Sequence, residues 1–119
     1  MANFHDGYLN RQFDFGRLKG TVQLVADNQS IVLDKGQGVL YLISDNTTAT
    51  NRTFSISSAE EDGQKLVIML NSAGATACEM LTAGNAKLTA AWQPATQYST
   101  LTLTWLGGYW VETGRTVGA

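Results

Sequence analysis

From Thr21 onward, apolar residues recur at alternate positions in short runs separated by turn-forming residues. The runs "TVQLVA", "SIVLD", "VLYLIS", "TFSIS", "KLVIML" and "LTLTW" have the period of β-strands, and Phe54 and Ile56 share one face of theirs. Between them lie "DNQ", "KGQG" and "EEDGQ", whose Asp, Asn and Gly supply turn chemistry and predict hairpin connections. "KGQG" superficially resembles a phosphate-cradling loop, but no GK[ST] and no helical pattern follow it. "TACEMLTAG" is the one helix-like interval: Thr76 and Glu79 match a capping box and Gly84 can end the element. The same residues also fit a loop with a brief strand. Trp92 and Pro94 mark a bend, and this single proline falls outside every predicted strand. No internal repeat stands out.

Two of the runs are apolar on both faces. Val39, Tyr41 and Ile43 oppose Leu40 and Leu42, while Leu66, Ile68 and Leu70 oppose Val67 and Met69. Such strands must be covered on both sides. A small antiparallel sandwich covers one face of each sheet, so the remaining cover must come from an N-terminal arm or from neighbouring subunits. Leu40, Leu42, Val67 and Met69 are therefore candidate partner contacts, and a homo-oligomer is favoured. The expected fold is all-β, an antiparallel β-sandwich or jelly-roll-like barrel over residues 21–119, with an extended arm over residues 1–20.

The last hairpin, "YSTLTLTWLGGYWVETGR", has two possible registers. A three-residue loop, Leu106-Gly107-Gly108, sets Trp105 against Tyr109, Leu103 against Val111 and Thr102 against Glu112. A loop of two or four residues pairs Trp105 with Trp110 but sets Leu103 against Glu112. Matching apolar with apolar favours the three-residue loop. That register turns Trp110 outward and makes it a further candidate contact.

The first 20 residues hold Phe4, Tyr8, Phe13 and Phe15 among polar and charged residues, with His5 beside them. They keep neither period for long. The segment either folds over the domain's own core or docks on another protein, since it cannot bury its rings alone.

Composition narrows the chemistry. Charged residues make up 15% of the 119-residue chain, which fits burial against other subunits and fits an uncharged, threonine-rich β-protein equally well. The net charge of −2 and the lack of a basic stripe argue against nucleic-acid binding. No apolar run approaches bilayer-spanning length, and no secretory leader precedes the first strand, so neither membrane insertion nor export is expected. Cys78 has no cysteine partner and reads as a buried thiol; His5 is the sole histidine and lies far from it in sequence. Nucleophilic and metal-assisted catalysis both lack their residues, no cofactor is implied, and no enzymatic activity is expected. The Glu60–Glu61–Asp62 cluster reads as a solvated turn. Trp92, Trp110, Tyr98 and Tyr109 could stack on sugar rings, or could be core aromatics.

"DGQKLVIMLNSAG" followed by "LTAAWQPATQYSTLTLTWLGGYWVETGR" resembles a pattern found in structural proteins of tailed bacteriophages. The residues that carry it are Asp62, Gly63, Gln64, Trp92, Pro94, Leu101, Leu103, Trp105, Gly107, Trp110, Val111 and Glu112. The resemblance spans roughly residues 39–115 and implies an all-β, commonly homotrimeric virion protein of head decorations, head fibres or tail-fibre modules, without cofactor or catalytic residues. Read as a complete chain, its length points to a capsid decoration (cement) protein made in the host bacterial cytoplasm and bound to the major capsid protein. The arm with Phe4, His5, Tyr8, Phe13 and Phe15 is then the capsid-contacting segment. The alternative is a receptor- or glycan-binding module of a phage fibre, using Trp110 or Trp92 as a stacking platform.

Overall fold

The computed structural model describes residues 19–44, 52–72 and 78–118. Strands β1 (Lys19–Leu24), β3 (Val39–Ser44), β5 (Lys65–Leu70), β8 (Thr100–Leu106), β9 (Tyr109–Thr116) and β7 (Ala86–Lys87) form one sheet in the order β1-β3-β5-β8-β9-β7. Strands β2 (Gln29–Ile31), β4 (Arg52–Ile56) and β6 (Cys78–Met80) form a second. The protein is mostly β-strand, with no helix among the described residues, and "TACEMLTAG" contributes β6 rather than a helix.

The predicted antiparallel, hairpin-linked arrangement holds only for the last strands. β1, β3 and β5 are mutually parallel, as are β2, β4 and β6. The chain therefore alternates between sheets and winds in coils, as a short β-solenoid does. Lys19 pairs with Val39 and Val39 with Val67, an advance of 20 and then 28 residues. Those unequal steps leave no sequence period, so a repeated structure is present where no repeat is readable.

The predicted turns exist but are corners between sheets. At the first, the Asp27 carboxylate accepts hydrogen bonds from the Thr53 amide at 2.9 Å and the Thr53 hydroxyl at 3.0 Å, and Asn28 takes the left-handed conformation. These bonds hold the Asp27 carboxyl below its usual pKa. In "KGQG", the buried Gln37 accepts from the Asp34 amide at 2.9 Å and donates to the Val39 carbonyl at 2.9 Å. It lies so close to Gly20 that a side chain there would meet its amide nitrogen at 2.9 Å. The loop closes a corner, and the Gln37 side chain is committed to that closure.

One core lies between the sheets. Leu40, Leu42, Leu66, Ile68, Leu70, Leu101 and Leu103 are fully buried from the larger sheet, and Ile31, Phe54, Ile56, Cys78 and Met80 are buried from the smaller. Burial raises the Cys78 thiol to about 11, so it stays protonated and inert at neutral pH.

The C-terminal part closes this stack. β8 runs antiparallel to β5, and Trp92 makes an antiparallel bridge to Met80, so each sheet meets an antiparallel neighbour on the same side. The favoured three-residue hairpin loop is not what forms. Gly107 and Gly108 both have positive φ, 63° and 91°, and make a two-residue turn that pairs Trp105 with Trp110. Two consecutive left-handed positions match the twist of the strands and are open to glycine at little cost. The two indoles meet edge to face at 5.3 Å, a contact worth about 0.5–1.5 kcal/mol beyond the area it buries. A register shift beyond Leu103 then gives Thr102 the partner Gly114, so Thr113 is the extra residue of a bulge.

The segment entering β8 carries a second special backbone. The Ser99 amide donates to the Thr96 carbonyl at 3.2 Å, and Tyr98, third residue of that turn, has φ +72°. Glycine or asparagine ordinarily fills such a position, and a bulky L-residue there costs about 1–2 kcal/mol.

The face assignments have a direct thermodynamic consequence. Ile68→Ala should cost about 2–5 kcal/mol in urea unfolding, whereas Val67→Ala on the opposite face should cost less than about 1 kcal/mol. Measured on monomeric protein, equal costs would mean that the inward and outward sides of β5 have been exchanged.

Candidate interaction surface

The parallel register sorts the sequence-predicted contacts into two groups. Leu40 pairs with Ile68 and Leu42 with Leu70, and all are fully buried. They are core residues, and their assignment as partner contacts is corrected. Val39 pairs with Val67 and Tyr41 with Met69, on the outward side of the same strands. Val67 and Met69 are half-buried, as are Val39, Tyr41 and Ile43, which the contact assignment had left out. The signal for that face was present in the sequence: Lys65 is in phase with Val67 and Met69, and a lysine marks the outward side of a strand.

Trp110 is likewise corrected. It is 0% exposed, and its indole nitrogen donates to the Ser57 carbonyl at 2.8 Å. The even register that places it inward satisfies a buried N–H that the outward register would have left to a partner. Trp92 is buried against Phe54, with ring centroids 6.4 Å apart, so neither tryptophan offers a stacking platform. Phe4, His5, Tyr8, Phe13 and Phe15 lie outside the described residues.

The outer face of the six-stranded sheet is broad, with an apolar and hydroxyl centre bordered by Lys19, Lys65 and Lys87. Its centre is Val39, Tyr41, Ile43, Val67 and Met69, and Thr100 and Thr102 of β8 continue it, since they pair with Met69 and Val67. Lys19 shares the row of Val39 and Val67, and its ammonium lies 5.9 Å from the Tyr41 ring centroid. The pattern of apolar centre, hydroxyl flank and lysine border suits contact with another protein surface. It holds no array of acids, bases or nucleophiles, and no group of three or more His, Cys, Asp or Glu side chains able to hold a metal occurs among the described residues.

No family model matches the chain, and no curated protein sequence matches it. Among the residues that carried the phage resemblance, several meet at one place. The Asp62 carboxylate accepts from the Gly107 amide at 3.2 Å, Gly63 donates to the Trp105 carbonyl at 2.7 Å, and Trp105 donates to the Gln64 carbonyl at 2.8 Å. Trp105 then packs on Trp110. These residues form the closure of the stack, a framework role.

The most perturbed charged pair also belongs to that closure. The two-residue turn sets Glu112 opposite Leu103, the pairing that sequence reasoning had disfavoured. Its side chain is only 5% exposed, yet it is fully engaged: Arg115 donates at 2.7 Å and 2.8 Å, and the Thr89 amide and hydroxyl donate at 3.0 Å and 2.9 Å. Arg115 also donates to the Ala90 carbonyl at 2.8 Å. The bulge puts Arg115 opposite Leu101, on the side where Glu112 lies, which is what lets the pair form. The Arg115 bonds chiefly, helped by Thr89, hold the Glu112 carboxyl at about 2 against their burial cost.

Because that value is lowered from 4.5, the stabilisation is fully present above pH 4.5 and is lost as pH falls towards 2. Unfolding free energy measured across this window should fall more steeply in the parent protein than in Glu112→Gln. Parallel pH profiles for the two would remove Glu112 as the source of acid sensitivity.

Proposed function

We propose that this chain is a non-enzymatic structural protein of a tailed-bacteriophage particle, a homotrimer that decorates the capsid by binding the major capsid protein and stabilises the head. The observation that carries the reading is the outer face of the six-stranded sheet. Val39, Tyr41, Ile43, Val67 and Met69 stand there half-buried, on strands whose other face already forms the core. Such a face gains stability when covered, and an uncharged threonine flank imposes little desolvation cost on the partner. The particle itself is supplied by the sequence resemblance at Asp62–Gln64 and Trp92–Glu112. In this reading the aromatic segment with Phe4, His5, Tyr8, Phe13 and Phe15 binds the capsid, and copies of the chain meet through the outer face.

A second reading, a receptor- or glycan-binding fibre module, is favoured by the winding. A coil stack lengthens by adding coils, and here one side is closed by antiparallel strands while β1 and β2 form the other edge of each sheet. Strand addition at that edge would join the module to a longer shaft.

The two readings separate in solution and on particles. Sedimentation of the purified chain should give three times the chain mass, and Met69→Glu should dissociate the trimer while leaving monomer unfolding intact. A trimer that survives Met69→Glu places the interface elsewhere. Deleting residues 1–18 should leave a folded trimer that no longer binds undecorated heads; full occupancy by the truncated protein would refute the arm's role. Full-length trimer that never binds heads would favour the fibre module.

A further inference from the structure

We propose that Asp62–Gly63, in the corner before β5, is a latent isoaspartate site that closure of the β8–β9 hairpin holds unreactive. An aspartate followed by glycine is prone to this change because glycine, with no side chain, lets its nitrogen approach the preceding carboxyl. The Gly63 nitrogen attacks Asp62 Cγ, and the N–C bond of a five-membered imide forms. The displaced oxygen leaves as water, taking the amide proton and one proton from solvent. Water then adds back across either ring carbonyl and opens the ring. One opening restores aspartate; the other leaves the backbone running through Cβ and Cγ, as isoaspartate. The net change is an isomerisation, and it needs no oxidant, cofactor or catalyst.

Both reacting groups are engaged elsewhere in the closed structure. The Gly63 amide, the nucleophile, donates to the Trp105 carbonyl at 2.7 Å. The Asp62 carboxylate, the electrophile, accepts from the Gly107 amide at 3.2 Å. Those partners flank the tip of the hairpin, so the tip holds nucleophile and electrophile on separate bonds. The turn adds a second restraint. The Gln64 amide donates to the Glu61 carbonyl at 3.3 Å, and Gly63, third residue of that turn, has φ +91°. This is the signature of a type II turn, in which the second residue has ψ of about +120° and the next nitrogen points away from its side chain. Imide closure needs that nitrogen and the carboxyl carbon on the same side of the Asp62 Cα–C bond, in a near-attack arrangement.

The residues that make the corner labile are the ones its closure requires. The positive φ at Gly63 favours glycine, although nothing within 4 Å would obstruct a side chain there. Asp62 supplies the carboxylate that binds Gly107. Both residues are exposed, so water reaches the imide as soon as the hairpin tip lifts. Isomerisation moves the free carboxyl to Cα and lengthens the corner by one backbone carbon. Gly107 then loses its acceptor, and Gly63 loses its register with Trp105. A hairpin that opens briefly recloses, whereas one that isomerises while open does not. The chemistry is independent of what the chain binds.

The test ages the full-length protein at neutral pH, folded and in concentrated urea, and maps isoaspartate in the tryptic peptide Thr53–Lys65. Asp62 should isomerise at least about tenfold more slowly in the folded protein, because the reaction waits on opening. Trp105→Phe, which weakens the indole contact with Trp110, should raise the folded-state rate in step with faster hydrogen exchange of the Gly63 amide. Should that variant fail to fold, the comparison of folded and urea-treated parent protein decides alone. Refolded chains carrying isoaspartate at position 62 should melt below the parent. Equal rates in the folded protein and in urea, no isoaspartate in either, faster exchange in Trp105→Phe without faster isomerisation, or an unchanged melting temperature for the modified chains would each overturn the proposal.

Discussion

A stack of parallel strands has to end somewhere, and how it ends decides most of this structure. β5 and β6 each present a strand edge that would otherwise template further pairing. The antiparallel β8 covers the first, and the bridge from Trp92 to Met80 covers the second. Trp105 and Trp110 lock the hairpin that supplies the cover, while Asp62, Gly63 and Gln64 tie its tip back to the corner before β5. Removing that closure would expose the rows of leucines on β5 and β8 to water, so the aromatic hairpin is the part on which the core depends.

The closure also explains an apparent conflict in charge. A glutamate opposite a buried leucine is costly when it stands alone. Here the bulge at Thr113 brings Arg115 to the same side, and Thr89 adds two donors, so the carboxylate is neutralised and hydrogen-bonded at once. The outer face, by contrast, carries almost no such machinery. Its apolar centre and threonine flank offer area rather than chemistry, which is why a contact role fits it better than a catalytic one.

Strand positions and turn residues were legible in the sequence because they are local: alternation sets which residues share a face, and Asp, Asn and Gly set turns, but alternation did not say that Leu40 and Leu42 face inward. "TFSIS" and "KLVIML" appear as strands with the faces that alternation assigns. The buried thiol of Cys78 was also legible, from the absence of a cysteine partner and of a second ligand type near it.

What only the tertiary structure decided was which strand each one meets. A turn such as Asp27-Asn28 has the same residue chemistry whether it folds a strand back on itself or sends it to another sheet, so hairpins were expected where corners form. Coil lengths of 20 and 28 residues erased the period that would have revealed the winding. The hairpin register turned on a non-local balance, the burial of two indoles and the satisfaction of Glu112 by residues outside the strand it faces. Those partners, Ser57, Thr89 and Arg115, act through space or through a bulge, and no pattern of alternation encodes them. Local sequence determined the elements and which residues share a face; long-range pairing and the completion of buried polar groups determined which face is inward and how the strands assemble.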